Sequence, residues 1–381
     1  MTMRPQAFVR TEPVPAMPPP ASGRGVTGWL RENLFSGPLN IVLTLLSLLV
    51  LWWIVPPLLN FLIFDAVWVG EDRAACIVTP DRPRVGACWA FVAERINFFI
   101  YGFYPVNERW RVDTFFALLA IGIVWLLATW APNKRVAAVY FFIVLPIVSI
   151  MLLLGFAPLR LSYVPTSLWG GILVTVVVSA VGIVFSLPLG VVLALGRRSR
   201  MPAVRLFSII FIEFVRGVPL ITVLFMASVM LPLFVPEAWS PDKLLRALVG
   251  VALFAAAYMA EVVRAGLQAI PRGQYEGAQA LGLSYWKMMG LIILPQALRI
   301  TIPNIVNSNI ALFKDTTLVF IVGIFDFLRT IEAARIDPKW ATPVTSTTGY
   351  AFAALFYFIC CFMMSRYARG VERRLETGHK R

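Results

Sequence analysis

Residues 275–295, YEGAQALGLSYWKMMGLIILP, form the one polar, turn-rich insert of that length between two long apolar runs in the C-terminal half of the chain. Arg272–Ala280 is expected to be a short helix with small residues along one side. Gly282 is placed to end it, because a glycine just past a helix takes up the left-handed conformation that satisfies the last carbonyls. Ser284 offers an oxygen to cap the next helix, which climbs through Met288, Leu291 and Ile292 back into apolar sequence. The expected element is therefore a helix, glycine turn and helix facing water between two membrane spans. Ala278 and the bare Gly277 would let a partner's surface approach closely, and Tyr275 would stand as an aromatic knob. The bland alternative is a loop that merely joins two helices.

The composition around that insert sets the class. The 381 residues are 59% hydrophobic and 14% charged, with a mean hydropathy of +0.78. A soluble protein of this length needs more polar surface, so a polytopic all-α membrane protein is expected. The net charge of +14 would point to nucleic acid on a soluble chain. Here the basic residues sit in short loops and tails, which reads as topology determination and contact with anionic lipid, with no nucleic-acid partner. No zinc spacing, phosphate-binding glycine loop or nucleophile elbow is present, so any ATP must be hydrolysed on another chain. Cys360 and Cys361 adjoin in an apolar helix and read as packing residues, and the single His379 sits in a charged tail. Cys76 and Cys88 lie in a polar loop expected outside the cytoplasm, either as a disulfide or as two free thiols.

Taken in order, residues 1–38 read as a disordered cytoplasmic tail rich in proline and glycine. Eight spans are expected, at residues 39–64, 113–131, 136–157, 167–195, 203–235, 244–267, 291–312 and 350–367. Residues 65–112 are mixed in charge, with amphipathic patches that suit the membrane face. Eight crossings bring both termini, Lys134 and Arg135, the loop with Arg197, Arg198, Arg200 and Arg205, and the 275–295 insert to one side. That is the distribution the positive-inside tendency requires of a cytoplasmic face. Residues 318–333, apolar at first and then carrying Asp326, Arg329 and Glu332, are read as a half-buried helix returning to the outer face.

Glu276, Ala278, Gly282, Ile292, Leu294 and Pro295 resemble the EAA…G…I-LP loop of the membrane-spanning subunits of ABC importers. Gly277 departs from the pattern, standing where that loop carries an alanine, which loosens a helix by about 1 kcal/mol. The resemblance implies that the short helix is a coupling helix seated in a groove of a cytoplasmic ATPase. Tyr275, Glu276, Gly277, Ala278, Gly282 and Pro295 then become the ATPase-coupling residues. It further implies a permease core of five helices over 167–370, of the type I importer kind, with its coupling loop at 272–295. This core looks like that of amino-acid permeases of the polar amino-acid uptake type. Residues 39–166 resemble the three-span addition, with a periplasmic loop, of one permease subunit of the general L-amino-acid importers of Gram-negative bacteria. Residues 371–381 are a basic cytoplasmic tail.

Charged groups at membrane depth cost several kcal/mol and are candidates for function by default. Glu213 and Arg216 are three residues apart and able to pair, in an EFVRGVP stretch resembling the family's E-x-x-R-G-x-P. Glu261 and Arg264 repeat the spacing at the cytoplasmic end of the sixth span. Each pair is read either as a structural salt bridge or as part of the substrate pathway, with Arg264 able to meet a carboxylate bidentately. Asn304, Asn307 and Ser308 share one face of the seventh span beside Pro303 and Asn309. They are either glue between subunits or a polar pathway lining. Lys314-Asp315-Thr316-Thr317-Leu318 resembles the family's K-D-T-S-L element.

The expected function is that of a transport subunit in the bacterial inner membrane, not an enzyme, moving L-amino acids from periplasm to cytoplasm. The chain itself is expected to bind no cofactor, with ATP and magnesium on a partner ABC ATPase dimer. A second, homologous permease subunit in a heterodimer, a periplasmic amino-acid-binding protein and membrane lipid complete the expected partners. An ion-coupled secondary transporter predicts an inverted repeat with broken helices, and no such symmetry is visible. An intramembrane enzyme needs a nucleophile and base or paired acids at depth, which neither His379 nor the Glu–Arg pairs provide.

Overall fold

The structure is a computed structural model that describes residues 25–80, 82–236 and 240–376. Most of the expected N-terminal tail, residues 1–24, and the end of the basic tail with His379 lie outside the described residues. The chain divides into two compact units, Met1–Ala66 and Val67–Arg381.

In the first unit α1 spans Gly25–Asn33, so this part of the tail expected to be disordered is helical, and α2 spans Pro38–Leu59, running on through a π-turn at Asn60–Phe64. Pro38 opens α2 at a position where its missing N–H costs nothing. No side chain of α2 is buried within the chain, and a helix apolar all round belongs in lipid. Its hydroxyls close on backbone as lipid requires: Thr44 donates to the Leu34 carbonyl and Ser47 to that of Leu43, both at 2.8 Å.

The second unit continues with α3 (Trp89–Tyr101), α4 (Arg109–Leu127), and α5 (Lys134–Val139) joined by a π-turn to α6 (Leu145–Leu154). Then follow α7 (Gly171–Arg197), α8 (Pro202–Gly217), α9 (Leu220–Phe225), α10 (Leu231–Phe234), α11 (Lys243–Ala269), α12 (Arg272–Ala280) and α13 (Tyr285–Met288). A π-turn at Met289–Ile293 leads into α14 (Leu294–Asp315), a 3-10 segment at Thr316–Val322, α15 (Phe327–Ala334) and α16 (Pro343–Glu376). Among the described residues the regular structure is helical, with only isolated bridges between extended residues. Seven of the helical stretches are long and apolar enough to cross a membrane, and the eight expected spans are reached when a bent pair counts as one.

That bent pair corrects the expected fifth span. Residues 203–235 are not one helix: α8 meets the Leu220–Phe234 stretch at 106°. Pro219 bars its predecessor from the helical region, and Val218 accordingly sits extended at φ −111° and ψ 137°. α8 buries Ser208, Ile212 and Val215 on one side and exposes Phe207, Ile210 and Phe214 on the other. It is an amphipathic helix suited to lie along a membrane face.

Three apolar clusters stack along the bundle. The central one joins Val112 and Phe115 of α4, Leu153 of α6, Leu173 and Val178 of α7, Leu224 of α9, Val251 of α11 and Leu312 of α14. One end, termed here the disulfide end, packs Phe91 and Phe99 of α3 with Phe327, Trp340 and Ala353. Gly171, at φ +66°, permits this approach, because a Cβ there would meet the Phe99 carbonyl oxygen at 2.2 Å. Residues 318–333 do not cross: the 3-10 segment turns at Gly323, and α15 starts on Asp326, whose carboxylate accepts from the Leu328 and Arg329 amides at 3.1 Å. The opposite, basic end packs Ala194, Ile212, Met259, Leu267, Ala278, Met288 and Ile293.

Candidate functional site

At the basic end the quoted stretch folds as its local chemistry dictates. The Leu283 amide donates to the Ala278 carbonyl at 3.2 Å and the Gly282 amide to that of Gln279 at 2.9 Å, with Gly282 at φ +70°. This is the Schellman arrangement, closed by the apolar contact of Leu283 with the cluster beneath. Ser284 stands at the N-cap of α13, but its side chain makes no capping bond; only its carbonyl accepts, from Met288 at 2.9 Å. The two small residues diverge. Ala278 is buried against the chain's own core, so only Gly277 faces open space, with nothing within 4 Å of an added Cβ. Beside it Glu276 and Pro295 are exposed. Leu281 and Trp286 are 77% and 74% exposed, an apolar rim that the sequence reading did not single out although both stand in the quoted stretch.

Tyr275 is not a free knob. Its hydroxyl donates to the Leu267 carbonyl at 3.2 Å and accepts from Arg198 Nη1 at 3.1 Å, and the Arg198 guanidinium lies 5.6 Å from the ring centroid.

The four charged candidates meet in one cluster, with partners other than those expected. Glu213 and Arg216, expected to pair, each face other partners. Glu213 accepts from Arg197 at 2.8 Å, and Arg216 lies 3.8 Å from Glu261. The Pro219 bend turns this end of α8 toward α7 and α11, and it is tertiary proximity that sets the pairing. Glu261 is the hub: Arg264 Nε donates to its Oε1 at 2.7 Å, while Oε2 lies 3.5 Å from Arg197 and 3.8 Å from Arg216 without a hydrogen bond to either. Three guanidiniums thus surround two carboxylates, leaving one cation in surplus. The cluster can hold an anionic group in passing. Arg197 and Arg198 were legible in the sequence only as basic loop residues; their position at the last turn of a helix was the available signal.

Arg216 also lies 5.6 Å from the ring centroid of Tyr258, and Tyr258 lines a cavity of about 220 Å³ between α7, α11 and α14. Ser186, Ser308, Asn309 and Asp315 supply its polar wall, and Phe254 and Leu312 its apolar one. The Asn309 Oδ1 atom is buried without a hydrogen-bond partner among the described residues, which leaves an acceptor available to a ligand's N–H. The face expected from Asn304, Asn307 and Ser308 is divided: Ser308 reaches this cavity, while Asn304 and Asn307 are exposed along α14.

Comparison with known proteins bears on this geometry. Residues 186–377 match the family described as binding-protein-dependent transport system inner membrane component. The chain is 50% identical over 350 residues to the inner membrane amino-acid ABC transporter permease protein YhdY of Escherichia coli K12, covering 92% of this chain and 93% of that one. It is 40% identical to the glutamate/glutamine/aspartate/asparagine transport system permease protein BztC of Rhodobacter capsulatus, covering 98% of this chain and 99% of the relative. The glutamate/aspartate import permease protein GltK of Escherichia coli O157:H7 is 34% identical over 54% of this chain and 91% of its own.

Proposed function

We propose a direction and a coupling route from one premise: the chain belongs to the binding-protein-dependent transport system inner membrane component family and is an amino-acid ABC transporter permease subunit. It carries L-amino acids from the periplasm to the cytoplasm, and ATP is hydrolysed with magnesium on a separate ATPase that docks on α12. The basic end, with α12 and the α7–α8 connection, faces the cytoplasm together with both termini, in keeping with the positive-inside tendency. A periplasmic amino-acid-binding protein delivers substrate at the disulfide end, which suits a bridged pair in an oxidising compartment. A second, homologous permease chain covers the exposed Asn304 and Asn307 face of α14, and a heterodimer is the favoured assembly. Acidic amino acids and their amides, named for the Rhodobacter relative, are the first substrates to test.

The observation that carries this reading is the exposed flank of α12. Glu276, Gly277 and the turn at Gly282 project from a helix whose other side is anchored by Ala278. A zwitterionic amino acid needs donors for its carboxylate and acceptors for its ammonium. The surplus guanidinium at Glu261 and the acceptors Asn309 and Asp315 of the cavity offer both. Opening and closing of the ATPases shifts the permease between outward and inward states, and the permease contributes differential binding to the two.

Copurification tests it. Native complex solubilised from membranes should bring down an ATPase, and Glu276→Lys should lose it. Glu276 is exposed, so that change leaves the packing of α12 intact. Recovery of the chain without an ATPase from native membranes would overturn the reading.

A further inference from the structure

Arg197 ends α7, Arg198 caps it, and the two engage different machinery. Arg198 holds the coupling helix, bonding the Tyr275 hydroxyl at 3.1 Å and the Leu267 carbonyl at 3.4 Å. Arg197 holds the ion cluster, bonding Glu213 at 2.8 Å and standing 3.5 Å from Glu261 Oε2. Both side chains leave one helical turn, which moves as a unit because its backbone is hydrogen-bonded. A displacement of α12 that draws on Arg198 therefore also moves Arg197.

The cluster has an adjustable member. Glu261 Oε1 is committed to Arg264, but Oε2 lies between Arg197 and Arg216 at 3.5 and 3.8 Å with a hydrogen bond to neither. Arg216 has a second option, the face of Tyr258 at 5.6 Å, and Tyr258 borders the cavity. A shift of about an ångström decides which guanidinium takes Oε2, since N–H···O bonds form at about 2.7–3.2 Å. Two discrete arrangements follow: Oε2 on Arg197 with Arg216 over Tyr258, or Oε2 on Arg216 with the ring released.

We propose that Arg197 and Arg198 are positioning residues that carry the displacement of the coupling helix to Tyr258 at the cavity wall, through competition for the second carboxylate oxygen of Glu261. The proposal rests on the importer reading above and deepens it. It supplies what a coupling route requires, a two-state element that both the ATPase side and the cavity side bias.

The test uses the complete transporter in proteoliposomes and measures ATP hydrolysed per amino acid imported. Arg198→Ala should retain the ATPase on copurification and raise that ratio about tenfold, within the usual range of coupling between sites. Tyr275→Phe keeps the ring and removes the hydroxyl, and should raise the ratio by a smaller factor. Arg198→Lys should recover part of the native value. Arg197→Gln combined with Arg198→Ala should be no worse than the more severe single change, because both break the same chain. An unchanged ratio in Arg198→Ala and Tyr275→Phe, or effects that multiply in the double variant, overturns the relay. Should Arg198→Ala shed the ATPase while Tyr275→Phe couples normally, Arg198 acts in docking alone and the relay is likewise overturned. Failure of the native chain to bind any ATPase would instead refute the importer reading beneath it.

Discussion

The two ends of the bundle are built on opposite principles. At the disulfide end Cys76 and Cys88 are bridged, and α3 is tied to the α15–α16 connection. Glu94 there accepts from Lys339 at 2.7 Å and from the Trp340 indole at 3.1 Å, Arg95 pairs with Asp337, and the Cys88 amide donates to Thr348 at 2.8 Å. Phe91, Phe99, Phe327 and Trp340 fill the space between. At the basic end the contacts are ionic, shared and partly exposed, and the two acids serve three arginines. Covalent and aromatic contacts hold one geometry, whereas guanidiniums competing for one oxygen permit two. In the relay proposed above, the disulfide end holds and the basic end switches.

Four changes break or sharpen that contrast. The largest effect is expected from Glu261→Ala, which removes the one acid bonded to Arg264, leaves Arg216 only the Tyr258 ring and leaves Arg197 only Glu213. Partial exposure discounts the loss to about 2 kcal/mol, read as a lower thermal midpoint, and amino-acid uptake should fall more than tenfold because the ion cluster is dismantled. The mirror experiment is Cys76→Ser with Cys88→Ser. Opening a bridge between residues 12 apart should cost about 2 kcal/mol, read as a lower thermal midpoint, with the ATP used per amino acid unchanged.

A smaller effect follows from Asp326. Burial pushes its carboxyl up to about 7 from 3.8, against the lowering influence of the Arg329 and Leu328 amides it accepts from. A raised folded-state value means that this group's contribution is fully present below the unfolded value near 3.8 and is lost as pH rises through about 7. Lowering the pH from about 8 to about 6 should therefore gain about 1.4 kcal/mol, close to 2 °C in the thermal midpoint. Asp326→Asn should abolish that gain. The smallest change is Gly277→Ala, which meets no atom within 4 Å and should stabilise α12 by about 0.5–1 kcal/mol, seen as slower amide exchange in that helix.

The parts legible from sequence are the locally determined ones. Arg272–Ala280 and its Gly282 turn follow from residues within a few positions of each other, and the apolar runs delimit the spans because lipid demands internally satisfied backbone. The 106° bend after Gly217 was also written locally, in the proline at 219, but the predominantly apolar character of 203–235 masked it. What stayed out of reach was set by tertiary approach. The i,i+3 rule pairs Glu213 with Arg216 along one helix, whereas Arg197, 16 residues earlier, arrives from another and takes the contact. The inward orientation of Ala278 depends in the same way on Leu267, Met288 and Ile293 being underneath. The bridge between Cys76 and Cys88, open in the sequence, is settled by the fold, which brings their Cα atoms to 5.8 Å.

The most direct test is the energy source for uptake. In vesicles carrying the native chain with its ATPase and binding protein, amino-acid uptake should require ATP on the side of the basic end. It should persist when ionophores collapse the proton and sodium gradients, and disappear in Glu276→Lys. Uptake that follows an ion gradient and ignores both ATP and Glu276→Lys would contradict the account.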